Sequence, residues 1–332
     1  MPLTDTQDSP VIEIKPLGEM LAEPNSRRTR LLDLLGLLDG IGYDFIAPTP
    51  ATHRRVVARP DRRVAQTLTD ILGWSLPAPR GLLDPLLERA LLDAEVLADN
   101  GDGSLRPRLR VSRVEGGLFW HSAYPTDAHD AVFLGPDSCR FAQFILASLP
   151  GTARSILDYG AGAGVGGIIA ARCFPGPLLT IADINPKALF LASINAEHAG
   201  VPHRVILATR PDDLDESFDL IVTHPPFMID GQRRAYRDGG DLYGGRLSLD
   251  WTLAASTKLA PGGRFAMHSG ASIVRGIDML QKALLERVQH PGFALAYREL
   301  DPDIFGDELD EPAYAEVERI AAVGVVIDRL AL

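Results

Sequence analysis

Residues 222–230 read VTHPPFMID, and with the preceding DLI they look like a buried strand that ends in His224, Pro225, Pro226 and Phe227. A chain that leaves a strand through two prolines gives up two backbone N–H donors and stiffens its backbone. The carbonyls of such a turn stay free to accept hydrogen bonds. His224, with an ordinary pKa of ~6.5, can donate, accept or take up a proton there.

A second stretch, ILDYGAGAGVGGII (156–169), joins an apolar strand to a helix through small residues. The strand ends near Asp158, and Gly160, Ala161, Gly162 and Gly164 follow. Glycines let the backbone approach a ligand closely, and the next helix offers free N–H groups and the positive end of its dipole. Gly162, Gly164 and Gly167 also match G-x-G-x-x-G, which by itself is a weak match. Nineteen residues after Gly164 the next strand ends in ADIN. Asp183 stands there where a carboxylate can grip two ribose hydroxyls, with Ile184 and Asn185 beside it. Asn185 competes with it to cap the helix that begins PKAL. Loop and acid together indicate a nucleoside-containing cofactor, and they serve NAD and S-adenosylmethionine equally.

These residues need a scaffold. The chain has 332 residues, enough for one large domain or two modest ones. From about residue 128, strands and helices alternate. A helix at 137–149 precedes strand SILDY, and strands LLTIADI, RVILA, FDLIVTH and GRFAMHS follow, with helices between most of them. A helix near 273–288 leads to strands ALAYREL and AAVGVVIDR, which can pair antiparallel at one edge. This is the order of an α/β domain with a mostly parallel sheet. Residues 1–127 read as a mainly helical front domain. Helices are expected at 26–42 (capped by Ser26), 60–73 and 80–98, and a β-hairpin at 108–122.

The bulk properties narrow the partners. A net charge of −11 repels a bare nucleic-acid backbone unless a local basic patch overcomes it. Cationic or neutral partners fit more easily. Cys139 and Cys173 lie far apart without metal-ligand spacing and read as reduced, buried thiols, so no metal is implied. No apolar run approaches the ~20 residues of a membrane span. The start, MPLTDTQDSP, has neither a basic segment nor an apolar core of a signal peptide. A cytoplasmic location without a membrane partner is expected.

THPPF breaks the tie between cofactors. It resembles the D/N-P-P-Y/F motif of class I S-adenosylmethionine-dependent methyltransferases that act on nitrogen. Together, DYGAGAG, ADINPKAL and THPPF match three elements of that class in the right order over residues 128–332. The layout is similar to the "methyltransferase small" branch that includes the protein glutamine N5-methyltransferases. HSAYPTDAHDAVFLGPDSCRFAQFI and YRDGGDLYGGRLSLDW look like its flanking segments. The resemblance implies a Rossmann-like, seven-stranded domain at 128–332 and an acceptor-selecting front domain at 1–127. It implies that Asp158, Gly160, Ala161, Gly162, Gly164, Asp183, Ile184, Asn185 and His224 face S-adenosyl-L-methionine. It also implies that His224, Pro225, Pro226 and Phe227 present the acceptor nitrogen for in-line transfer, where positioning is most of the catalysis.

One residue departs from the pattern. The family has Asn or Asp where this chain has His224. A neutral histidine cannot donate to and accept from one carboxamide at once, as Asn does. His224 suits an amine or guanidinium that sheds a proton, so a small amine or guanidine metabolite is the expected acceptor. A protein side chain or a nucleobase amine is the alternative, and a non-catalytic binding protein is the reading from another class. His121, Tyr124, Tyr236 and Arg237 are further candidates for touching the acceptor, the last two within a glycine-rich stretch that reads as a mobile lid. The loop ELDPDIFGDELDEP (299–312) holds seven carboxylates and no Lys or Arg, and by the resemblance it borders the acceptor site. SRRTR (26–30) and THRRVVARPDRR (52–63) form a basic cluster without the interleaved aromatics of a single-strand reader.

Overall fold

The computed structural model describes residues 27–288 and 291–331, so the expected cap Ser26 lies outside the described residues. The front region begins with α1 (Arg27–Gly40), whose buried face is Leu31, Leu34, Leu35 and Leu38. Helix α2 (Pro50–Val57) was not expected. Thr49 caps it by accepting from the Thr52 N–H, and Pro50 opens it without needing a donor. The helix expected at 60–73 is instead a single 3-10 turn (Pro60–Arg62) and a short α3 (Leu68–Leu72), started afresh by a Thr67/Asp70 capping box.

Strand β1 (Ala78–Pro79) precedes α4 (Pro85–Asp93). The sequence expectation of a helix over 80–98 was too long at both ends. Asp84 caps it just before Pro85, and Glu95 stops it with φ +57°. Strands β2 (Leu97–Asp99) and β3 (Ser104–Pro107) join β1 in an antiparallel sheet of order β1-β3-β2. The expected hairpin is β4 (Leu109–Val114) with β5 (Gly117–Ser122).

Helix α5 (Pro136–Ser148) leads into an α/β unit. It continues with β6 (Ser155–Tyr159), α6 (Val165–Ala171), β7 (Leu178–Asp183), α7 (Pro186–His198), β8 (His203–Leu207) and β9 (Phe218–Thr223). Then come α8 (Arg246–Ser256), β10 (Leu259–Val274), β11 (Ile277–Asp278), α9 (Met279–Arg287), β12 (Phe293–Asp301) and β13 (Arg319–Arg329). The last helix starts later than the sequence suggested. Strand β10 runs on to Val274 and folds back through Arg275 and Gly276, both at positive φ, onto β11.

Seven strands lie in the order β12-β13-β10-β9-β6-β7-β8, with β11 added against β10. The pairs from β10 to β8 are parallel, while β13 runs antiparallel between β10 and β12, so β12 points the same way as the main strands. This is the Rossmann-like, seven-stranded sheet that the sequence leads one to expect. The chain order reverses direction at β6, which places a crevice at the carboxyl ends of β6, β7 and β9. There Tyr159 pairs with Ala182 on one side and Thr223 on the other.

The front region is pinned to this sheet by α7. Asn195, buried on α7, accepts from the Trp120 N–H at 2.9 Å and donates to the carbonyls of Trp120 and Ala163 at 3.2 and 2.9 Å. Trp120 is fully buried and its indole donates to the Leu31 carbonyl. Arg28 of α1 reaches Ser193 and Glu197 on α7. The cysteines depart from expectation in part: Cys139 is half-buried, but Cys173 is exposed. Replacing Asn195 by Ala would strand one buried N–H and leave two carbonyls short of a donor. A loss of about 2–4 kcal/mol is expected in urea unfolding. A loss under about 0.5 kcal/mol would mean that apolar packing alone holds the hairpin to α7.

Candidate active site

The turn after β6 is shaped by three glycines at positive φ, Gly160, Gly162 and Gly164. Their surroundings differ. A Cβ on Gly162 would meet nothing within 4 Å, so this glycine faces open space, whereas a Cβ on Gly160 would lie 2.5 Å from the Trp251 ring. A Cβ on Gly164 would press on Ile168 and Ala192 at 3.0 and 3.1 Å. Gly160, Ala161 and Gly162 line a cavity of ≈ 520 Å³, within the usual range for ligand sites. Gly164 is not part of that lining; its small size serves the packing of α6 on α7.

Asp158 also lies outside the lining, in contrast to the expectation that it faces the cofactor. It is buried under the loop, where its Oδ2 accepts from the Gly167 N–H at 2.8 Å. Burial pushes its carboxyl up to about 8. Its neighbour in the chemistry, Asp183, does line the cavity. Asp183 accepts from the Gly162 N–H at 2.9 Å with one oxygen and from the Asn185 N–H at 2.8 Å with the other. Burial raises its pKa, and these backbone donors pull it back. Each oxygen keeps a further lone pair for a hydroxyl. Asn185 takes the capping role, accepting from the Lys187 N–H at 3.0 Å, so Asp183 is not consumed as a cap. Ile184 stands beside it in the lining and is 56% exposed, an apolar wall for a flat base.

On the other side of the crevice, Thr223 ends β9 by donating to the Tyr159 carbonyl at 2.7 Å. His224, Pro225, Pro226 and Phe227 then line the same cavity. The His224 and Phe227 rings lie 5.8 Å apart, close to parallel. Phe227 rests on β10, where a Cβ on Gly270 would come within 2.1 Å of its ring. Asp137 of α5 also lines the cavity, and its Oδ2 is 3.8 Å from His224 Nε2. His268 of β10 is fully buried behind His224, with its Nδ1 3.3 Å from that same nitrogen. Burial lowers the His224 pKa, and Asp137 partly offsets this.

The remaining candidates separate. Tyr236 and Arg237 line the cavity. Tyr236 donates to the Thr126 carbonyl, and Arg237 pairs with Glu308 of the acidic loop. His121 and Tyr124 do not line the cavity. His121 is fully buried in the hairpin between Ser112 and Arg110, and Tyr124 stacks on His53 at 4.0 Å. The hairpin at 108–122 is where the sequence put it, but both faces of β5 are buried from Leu118 to Ser122, so His121 is enclosed by its own hairpin and does not reach the cavity. The glycine-rich stretch expected as a mobile lid is tied to the THPPF turn. Met228 and Arg237 pair through their backbones, and Gly239 and Gly244 pack on the backbone of Phe227 and Met228.

Sequence reading did not pick out Asp137, His268, Trp251 or the front-region residues Thr49, Pro50, Ala51 and Arg54 that line the cavity. A polar residue inside the apolar strand FAMHSG was the one visible signal for His268. Phe305, Gly306, Asp307 and Glu308 bring the acidic loop to the cavity as well.

The residues present fit S-adenosylmethionine: an acid with spare lone pairs, an open glycine at 162 and an apolar wall at Ile184 in one cavity. Residues 128–237 match the methyltransferase small domain model. Over 117 residues the chain is 33% identical to ribosomal RNA small subunit methyltransferase C of Aeromonas hydrophila subsp. hydrophila, covering 32% of this chain and 34% of that protein. Over 143 residues it is 32% identical to the release factor glutamine methyltransferase of Chlorobaculum tepidum, covering 37% of this chain and 49% of that one. The chain thus spans half or less of the length of these two relatives. A solved S-adenosylmethionine-dependent methyltransferase from Agrobacterium tumefaciens superposes with a TM-score of 0.42 at 18% identity, over 71% of this chain and 76% of that one. With its glycine loop, its strand-end acid and its His-Pro-Pro-Phe turn set around one cavity, the segment at 128–237 belongs to the methyltransferase small domain family of class I S-adenosylmethionine-dependent methyltransferases.

Proposed function

We propose that the chain methylates a nitrogen and that this nitrogen belongs to a protein segment rich in basic side chains. The observation that carries the reading is that the Asp183 cradle and the His224–Phe227 turn open into one cavity. When bound, S-adenosylmethionine supplies a methyl group activated by a sulfonium. Asp183 holds the ribose, Gly160, Ala161 and Gly162 leave room for the backbone approach, and Ile184 with Asn185 flanks the base. Pro225 and Pro226 keep the turn rigid, Phe227 supports a planar group, and His224 orients the nitrogen and takes its proton.

The acceptor class is argued from charge. Asp137, Asp183, Asp238, Asp307 and Glu308 line the cavity, against Arg54, Arg233 and Arg237; Arg237 is paired with Glu308 and Asp307 with Arg55, which leaves Asp137, Asp183 and Asp238 against Arg54 and Arg233. Such a rim favours a cationic acceptor over a polyanion. The free small amine or guanidine favoured by sequence has less support, because neither relative's name describes one. A nucleobase is the second reading. It is favoured by the relative named for ribosomal RNA and by α2, whose exposed Arg54 and Arg55 stand near the cavity. Residues 1–127 are the proposed acceptor-selecting part on either reading.

Replacing Asp183 by Ala is expected to weaken S-adenosylhomocysteine binding by about 1.5–3 kcal/mol in calorimetry, the scale of lost charge-assisted hydrogen bonds. Unchanged affinity would remove Asp183 from the cofactor site. For the acceptor, the measurement is transfer of radiolabelled methyl to a lysate separated into protein, nucleic acid and small molecules. Label in protein is the expected outcome. Label confined to nucleic acid would overturn the charge argument and leave the nucleobase reading.

A further inference from the structure

Asp137 and His224 line one wall of the cavity and His268 is buried behind His224; they come from three elements, the first turn of α5, the turn after β9 and the middle of β10. Both neighbours address the same nitrogen of His224. Its Nε2 lies 3.8 Å from Asp137 Oδ2 and 3.3 Å from His268 Nδ1. Its Nδ1 takes no hydrogen bond among the described residues and belongs to a side chain that lines the cavity. Asp137 Oδ1 and His268 Nε2 are buried without a hydrogen-bond partner among the described residues.

Only one proton fits between His224 Nε2 and His268 Nδ1. If His268 donated it, His224 would turn a lone pair toward the Asp137 carboxylate, and the two would repel. If His224 donates it, the carboxylate faces an N–H and attracts it. The nitrogen that carries the proton on an imidazole is set by the partner of that nitrogen. We propose that Asp137 and His268 are positioning residues that hold His224 as its Nε2–H tautomer, which leaves Nδ1 as the atom that accepts the proton of the methylated nitrogen. The role of Nδ1 rests on the methyl transfer proposed above; the tautomer does not.

The step balances. As the acceptor nitrogen bonds to the methyl carbon, the carbon–sulfur bond breaks with its electron pair on sulfur, and the nitrogen sheds one proton to Nδ1. The imidazolium so formed lies beside Asp137, and the proton then leaves to water. The charged or titratable groups that face this pair are Asp137 and His268 for His224, and His224 and Arg140 for His268. Burial keeps both rings neutral near pH 7, which suits an acceptor of protons.

The test is two-bond proton–nitrogen NMR on the full chain with 15N-labelled histidine at pH 8, with His224 assigned from the spectrum of His224→Asn. The wild type is expected to show the Nε2–H pattern, with Nδ1 unprotonated. Asp137→Asn, whose amide can donate to Nε2, is expected to switch His224 to Nδ1–H. Its kcat should fall by about 10²-fold or more with little change in KM. The acid limb of its pH profile should move lower, because Asp137 is the group that raises the His224 pKa. Asp137→Glu is expected to restore the Nε2–H form, and His268→Leu to give a mixture. A wild-type Nδ1–H pattern, which needs no variant to fold, would overturn the proposal, as would an unchanged tautomer in a folded Asp137→Asn. An unchanged His268→Leu spectrum would overturn the part given to His268. An Nε2–H wild type with no methyl transfer to any fraction would support the positioning and overturn the proposed function.

Discussion

The cavity depends on how the Asp183 carboxylate is held. A nearly buried acid is costly unless donors meet it, and here the backbone N–H groups of Gly162 and Asn185 do so. The same two bonds fix the glycine loop against the end of β7. They therefore set the distance between the loop and the acid across this part of the cavity. The sheet supplies the other half of the constraint. Strands β7 and β9 flank β6 in parallel register, so the acid and the His-Pro-Pro-Phe turn leave the sheet at the same level on either side of the loop. The hydroxyl of Thr223 on the Tyr159 carbonyl ties the two turns together.

Much of this was legible in the chain. The glycine loop, Asp183 and THPPF announce themselves because each is a local device in which neighbouring residue types make one turn. The mostly parallel sheet and its antiparallel last pair were legible for a similar reason, since apolar strands alternate with helical segments along the chain. What was not legible depends on pairing at long range. Asp137 and His268 stand far apart in sequence and meet only because α5 and β10 pack beside the turn after β9. Gly164 and Asp158 look like cofactor contacts in the motif, yet each is turned into the packing of α6. His121 was misassigned because both faces of its hairpin strand are covered, and its partners, Arg110 and Ser112, come from the other strand of the hairpin. The front region was read least well. Apart from α1 its helices are short, and α2 and α4 begin at prolines, so cap residues such as Thr49, Thr67 and Asp84 decide their limits more than periodicity does.

The front region is more than an appendage. Its hairpin is bonded to α7 through Asn195, and its α2 lends Thr49, Pro50, Ala51 and Arg54 to the cavity. The acidic loop adds Phe305 to Glu308, and Arg55 of α2 meets Asp307 at 3.3 Å. The cavity is thus walled by segments drawn from both ends of the described chain. Only a network of ordinary packing and hydrogen bonds brings them into register.

Gly270 carries a consequence of its own. It lies on a buried strand under the Phe227 ring, and even one added carbon would collide with that ring at 2.1 Å. The height of the aromatic floor is therefore set from below, by the absence of a side chain. Variation at this position would change the clearance above Phe227 while leaving His224, the prolines and Phe227 intact. The height of this wall of the cavity is thus written into the sheet, one layer beneath the turn that carries the motif.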